Sequence, residues 1–179
     1  PADAPAVKAQ GAKGEEELQA ADSGPLAVYV WKTTADPFVG KITYGRVVSG
    51  TLQSDTRVWN QQKEIEERLG TLATIRGGEQ LPLETVHAGD LFTVPKLSET
   101  GTGDTLVGHP LTLPVPDYPS ALYRVAVSPK TQADASKMGT TLTRLCEEDM
   151  TLSWHNEAAT HQAILQGMGD QHIDVAIRK

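Results

Sequence analysis

The heptapeptide LAVYVWK, Leu26 to Lys32, constrains the fold more than any other stretch of the chain. Leu26, Val28 and Val30 point to one side of an extended strand and Ala27, Tyr29 and Trp31 to the other, so both faces are apolar. A strand of that kind needs cover on both sides. An isolated hairpin cannot supply it, whereas a small closed sheet with further layers can.

The residues that follow keep the β habit as far as about Pro116. In ADPFVGKITYGRVVSGTL, Ala35 to Leu52, Asp36-Pro37 starts a turn and Gly40 relieves a tight backbone position. Lys41 to Val48 is an extended run, Ser49-Gly50 turns the chain, and Thr51-Leu52 resumes the strand direction. Further short strands are predicted over Thr56 to Asn60, Glu64 to Arg76, Glu84 to His87 and Asp90 to Leu97. Gly77-Gly78, Ala88-Gly89 and Gly101-Thr102-Gly103 separate them, which is the pattern of a small barrel. Ile65, Leu69, Leu72 and Ile75 recur at helical steps, but Gly70 interrupts them and Thr71 and Thr74 prefer strands. A strand is therefore expected there. Residues 1–24 are rich in Ala, Gly, Lys and Glu with almost no large apolar side chain, and read as a linker or disordered arm.

Beyond a proline-rich connector at residues 110–120 the pattern changes to β-α-β-β-α. Leu122 to Val127 reads as a strand, and Thr131 with Asp134 three residues on forms a shortened version of the capping box that opens a helix. Met138, Leu142, Leu145 and Cys146 make its apolar stripe, and Glu147-Glu148-Asp149 ends it where the helix dipole favours cations. Strands around Leu152 to His155 and His161 to Gln166 flank a turn at Asn156 to Thr160. A last helix starts near Gly169, with Ile173, Ala176 and Ile177 on one face.

Several chemistries are disfavoured by the residues themselves. A phosphate loop needs G-x-x-x-x-G-K-[ST], and the only Gly-Lys pair, Gly40-Lys41, is followed by Ile42 and has Ala35 where the first glycine belongs. No Asn-Lys-x-Asp or Asp-x-x-Gly motif accompanies it. His155-Asn156-Glu157 has the H-x-E spacing of zinc deaminases but lacks a P-C-x-x-C partner. His155, His161 and His172 as a metal trio, Cys146 as a nucleophile and Thr100 to Thr105 as a phosphate turn all have plainer structural readings. The single cysteine excludes an intramolecular disulfide and points to a reducing, cytoplasmic setting. No apolar run approaches the roughly 20 residues that span a bilayer. The net charge of −7 is spread along the chain, which argues against a broad basic face for bare nucleic acid.

Three stretches carry a family resemblance. ADPFVGKITYGRVVSGTL resembles a segment from the second domain of elongation factor G, the GTPase of ribosomal translocation. GMGDQHIDVAIR, Gly167 to Arg178, resembles the GMGELHLE signature of that family's third domain, and PKTQADASKMGTTLTRLCEEDM resembles the helix that opens it. AGD at Ala88 to Asp90 and TGDT at Thr102 to Thr105 fall between them in the right order. The resemblance implies a β-barrel over residues 25–109 and, over residues 121–179, a ferredoxin-like α/β sandwich truncated before its last strand. An open-edged sheet of this kind is expected to be marginal, partly disordered or paired with a neighbour.

The resemblance also implies function. The chain is expected to be a non-catalytic fragment that binds the ribosome and couples to a GTPase domain, with GTP and Mg held in that missing domain and no cofactor or metal on this chain. Candidate contacts to small-subunit ribosomal RNA and protein are Lys32, Lys41, Arg46, Arg57, Lys130 and Lys137. Candidate interdomain contacts are Asp36, Phe38, Asp170 and His172. Membrane and DNA are not expected partners. Asp170-Gln171-His172-Ile173-Asp174 departs from the family's Glu-Leu-His-Leu-Glu at Gln171, which suggests a diverged paralogue, such as a ribosomal-protection or stress-type factor. A stand-alone barrel serving as an interaction module is the remaining alternative.

Overall fold

The computed structural model describes residues 4–36, 38–77 and 79–178. Pro37 of the Asp36-Pro37 turn, Gly78 of the Gly77-Gly78 pair, the first three residues of the arm and Lys179 lie outside the described residues. The chain forms two compact units, Pro1–Val115 and Pro116–Lys179.

The first unit is β throughout. Its strands are β1 (Val7–Gly11), β2 (Gly14–Leu18), β3 (Ala27–Asp36), β4 (Gly40–Ser49), β5 (Leu52–Gln53), β6 (Arg57–Asn60), β7 (Ile65–Arg68), β8 (Leu72–Arg76), β9 (Glu79–Leu83), β10 (Thr85–Val86), β11 (Leu91–Pro95), β12 (Thr105–Val107) and β13 (Leu111–Thr112). Eight of them form one ladder in the order β7-β6-β12-β3-β4-β11-β8-β9. Its two ends are joined through residues 54–56. Thr56 accepts from the Leu69 N–H at 2.8 Å on the β7 side. Ser54 Oγ accepts from the Leu72 N–H at 2.9 Å and donates to the Leu83 carbonyl at 2.7 Å on the β8–β9 side.

The ladder curls round a core that includes Val28, Val30, Val47, Leu72, Phe92 and Leu106. Gly45 is needed there. A Cβ on it would lie 2.5 Å from the Phe92 ring, so any larger residue displaces the aromatic side chain that fills the barrel. Gly40 turns the β3–β4 hairpin with φ +88°, a conformation that favours glycine. Of the predicted strand from Glu64 to Arg76, Glu64 instead closes a turn with φ +55°, and the rest forms two strands, Ile65–Arg68 and Leu72–Arg76, that break between Arg68 and Leu72.

The arm is a correction. The expected disordered linker over residues 1–24 is ordered from Val7 to Leu18: β1 and β2 form an antiparallel hairpin, and β1 also pairs with β13. The connector likewise contributes β13 to the first unit. The physical reason is a period-2 pattern with small apolar members. Ala9 and Leu18 are buried against Ala27, Val107, Leu111 and Leu113, with Val7 beside them, while Lys8 and Glu15 face outward as an exposed ion pair at 3.3 Å. This hairpin supplies the second cover that LAVYVWK demanded, and Ala27 is wholly buried beneath it. Asp22 ties the end of the arm to the barrel through the Ala88 N–H and His87.

The second unit runs β14 (Tyr123–Val127), α1 (Gln132–Glu148), β15 (Ser153–Glu157), β16 (Gln162–Gly167) and α2 (Asp170–Arg178). The antiparallel sheet has the order β14-β16-β15. Thr131 caps α1 in a complete capping box with Asp134. Leu142, Leu152, Ala163, Leu165, Ile173 and Ala176 form the core, with Met138, Leu145 and Cys146 packed against it. Ile177, assigned to the same face of α2 by its spacing, is instead 55% exposed. Of the described helices, none is long and apolar enough to cross a membrane.

Candidate functional site

An irregularity in β3 brings the barrel's candidate cations together with aromatic side chains. Val30 pairs with Gly45 and Lys32 with Tyr44, so Trp31 is an extra residue in a β-bulge. Strict alternation would aim Lys32 inward beside Val28 and Val30. The bulge shifts the phase by one, so that Thr33 is buried and both Trp31 and Lys32 lie on the outer face. Trp31 and Tyr44 form a tilted ring pair with centroids 5.5 Å apart. Arg46, two residues along β4, shares that face and pairs in register with Tyr29 and Leu91.

The same face is therefore covered at Ala27 and open at Trp31, Lys32 and Arg46. Among the described residues no carboxylate forms an ion pair with Lys32 or Arg46. Lys41 is half-buried on the same hairpin, opposite Ala35. Arg57 differs. It is held at 2.9 Å by Glu66 across the β6–β7 pair, so its charge is partly offset.

At the hairpin tip Asp36 accepts from the backbone N–H groups of Val39 and Phe38, both at 2.8 Å. Those two bonds hold its carboxyl below the usual carboxylate range. The turn fixed in this way presents Phe38 almost fully to solvent, at 97% exposure.

In the second unit Lys130 and Lys137 are both exposed, before and within the first turns of α1. The Thr131–Asp134 capping box already occupies the start of that helix. Lys137 rims a groove of about 400 Å³ walled by Val127, Met138, Leu142, Leu145 and Ala176. Asp170 accepts from its neighbour Gln171 at 2.8 Å and is exposed.

His172 is engaged inside its own unit. Its Nδ1 accepts the Met168 N–H at 3.1 Å, so the ring proton sits on Nε2, 2.9 Å from Asp149 Oδ2. Asp149 also accepts from Thr151 N at 2.9 Å. Burial pushes the Asp149 carboxyl up, but the bonds from Thr151 and His172 outweigh it and hold the group below its ordinary range. The acidic end of α1 thus gains the hydrogen-bond donors that the helix dipole withholds. Gln171 is exposed while Ile173 is buried, so the departure at Gln171 leaves the core contact of α2 intact.

The residues that suggested other chemistries are built into the framework. Thr100 and Asp104 of the TGTGDT turn belong to a buried polar cluster. Asn60 Nδ2 donates to Thr100 Oγ1 at 3.0 Å and to Asp104 Oδ2 at 2.9 Å, and Thr100 Oγ1 donates to Glu67. Burial and the charge of Asp149 both push the Cys146 thiol up, away from nucleophile character. His155 lies 4.0 Å from Glu157 and is not gathered with His172, which is committed to Asp149. The aromatic and cationic face depends on the bulge, which periodicity alone does not reveal.

Known proteins match both units. Residues 25–109 match Elongation factor G domain 2, and residues 118–179 match Elongation Factor G, domain III. A crystal structure of a protein from Thermus thermophilus is similar over 86% of this chain, with a TM-score of 0.77 and 29% identity. The matched region is 24% of that protein, so the chain spans about a quarter of its length.

Proposed function

Because this chain belongs to the elongation factor G family and carries that family's second and third domains, we propose that it is the ribosome-docking, non-catalytic part of a cytoplasmic translational GTPase. GTP and Mg would be bound, and GTP hydrolysed, by a separate nucleotide-binding domain. The observation that carries the docking role is the pair of uncompensated cations, Lys32 and Arg46, beside Trp31 and Tyr44 on one face. On a chain of net charge −7, a local cationic site of this kind supports contact with RNA inside a larger assembly rather than binding to free nucleic acid at large.

Lys41 extends the contact along the hairpin, and Lys130 and Lys137 serve the α/β unit. Arg57 contributes less because Glu66 holds it. Phe38 and Asp36 suit an interdomain contact, with the fixed turn offering an apolar side chain, and exposed Asp170 is its counterpart in the second unit. His172 acts indirectly, by setting the end of α1 and the start of α2.

The test is Lys32→Glu with Arg46→Glu in the full-length protein, followed by ribosome binding over a salt series. Reversing both charges is expected to weaken binding by about ten-fold or more at low salt and to flatten the salt dependence by about one unit of slope per cation. Unchanged binding with an unchanged slope removes this face from the docking surface.

A further inference from the structure

We infer that the Trp31–Tyr44 pair is a stacking platform for an unpaired base of RNA, and that Lys32 and Arg46 hold the phosphates on either side of that base. This rests on the docking role proposed above and names the form of RNA that the face selects.

Three observations lead to it. Trp31 is 41% exposed on a strand whose preceding outward residues, Ala27 and Tyr29, are covered by the arm hairpin. A large apolar ring left open beside covered neighbours has a hydration cost that a partner removes. The bulge is what turns Trp31 and Lys32 to the same face, and bulges re-aim side chains in this way. Finally, Lys32 and Arg46 flank the tilted ring pair without a carboxylate among the described residues, so their charge is directed to solvent.

The geometry favours an unpaired strand over a duplex. Arg46 lies two residues from Tyr44, roughly 7 Å along the strand, so base stacking and phosphate contact fall within one short stretch of backbone. In A-form RNA the base faces are buried in the stack and the major groove is too deep and narrow for side chains to read. The outer face of these two strands sets aromatic rings beside point charges, which suit the π-face of an exposed base.

The experiment measures anisotropy of a fluorescein-labelled unpaired RNA of about 12 nucleotides, and of a duplex RNA of the same length, against the 179-residue chain. Trp31→Ala is expected to weaken the unpaired RNA by about ten-fold and the duplex by less than about two-fold. Trp31→Phe, which keeps a ring, is expected to restore much of the loss, a rescue that a purely structural role does not give. Trp31→Ala weakening both RNAs equally, or neither, overturns the platform; the docking role then survives if Lys32→Glu with Arg46→Glu still lowers affinity. Failure of the unsubstituted chain to bind the unpaired RNA overturns the platform, whereas the docking role stands or falls on the ribosome-binding salt series with Lys32→Glu and Arg46→Glu.

Discussion

The two units solve the problem of an exposed sheet in opposite ways. In the barrel the ladder's ends meet through residues 54–56, and a hairpin from the arm covers part of the outer face as well. The α/β unit lays two helices on one face of three strands, and among the described residues β14 pairs only with β16. The consequence shows in the cores. Of the twelve largest fully buried side chains among the described residues, all but Leu165 belong to the barrel unit. Redundant burial spreads the effect of any one substitution, whereas in the α/β unit a single residue on the central strand carries much of it.

The strongest way to break that comparison is Leu165→Ala. Removing a fully buried leucine costs about 2–5 kcal/mol, which is a large part of the stability of a domain of this size. The α/β unit is expected to lose its hydrogen-exchange protection while the barrel keeps its own. Leu72→Ala in the barrel removes the same side chain but leaves the remaining core and both layers of cover, so protection there should fall without being lost. Simultaneous loss in both units after Leu165→Ala shows that they unfold as one block and defeats the contrast.

The contrast was only partly legible in the sequence. LAVYVWK announced double burial, and Thr131 with Asp134 announced the start of α1, because both signals are local and depend on side-chain type alone. Val7, Ala9 and Leu18 were harder to read. Their alternation is interrupted by the Gly11–Gly14 turn, and their burial is decided by a distant partner, β13. The candidate face was hidden for a related reason. Lys32 was visible as a cation, but its side of the sheet is set by an irregular pairing with β4 rather than by the count of residues from Val28. His172 was visible as part of a signature, whereas its partner Asp149 is 23 residues away in sequence.

A smaller effect in the α/β unit depends on pH. The Asp149 carboxyl lies below its ordinary value of 3.8 in the folded state because Thr151 and His172 outweigh the effect of burial. A lowered folded pKa means that the folded state binds the proton less readily than the unfolded chain does. Its contribution is therefore fully present above the unfolded value and is lost as pH falls below 3.8 through the folded one. Asp149→Asn is expected to destabilise the α/β unit at neutral pH, with the difference from the unsubstituted chain shrinking once both are in acid below that range. Denaturant midpoints taken across pH check this, and a gap that stays constant into acid means the carboxylate's charge is not what joins α1 to α2.

The least of these effects comes from the N-cap of α1 and sharpens the comparison because the described helices both lie in the α/β unit. Helical circular dichroism therefore reports that unit alone. Thr131 Oγ1 accepts the Asp134 N–H at 3.2 Å, and Asp134 in return accepts from the Thr131 N–H at 3.1 Å. Thr131→Ala removes the first bond, together with the one that Thr131 Oγ1 donates to Asp134 Oδ2 at 2.7 Å, and keeps the second, so its cost should be about 1 kcal/mol, well below that of Leu165→Ala. Thr131→Ser keeps an oxygen at the same position and should recover most of the loss. In a unit with little redundant burial even this loss should shift the urea midpoint of the helical signal, while the β-rich first unit, followed by hydrogen exchange of β3 and β4, should not move. A shift of equal size in those strands means that the capped helix supports the barrel as well, and that the two units share their stability after all.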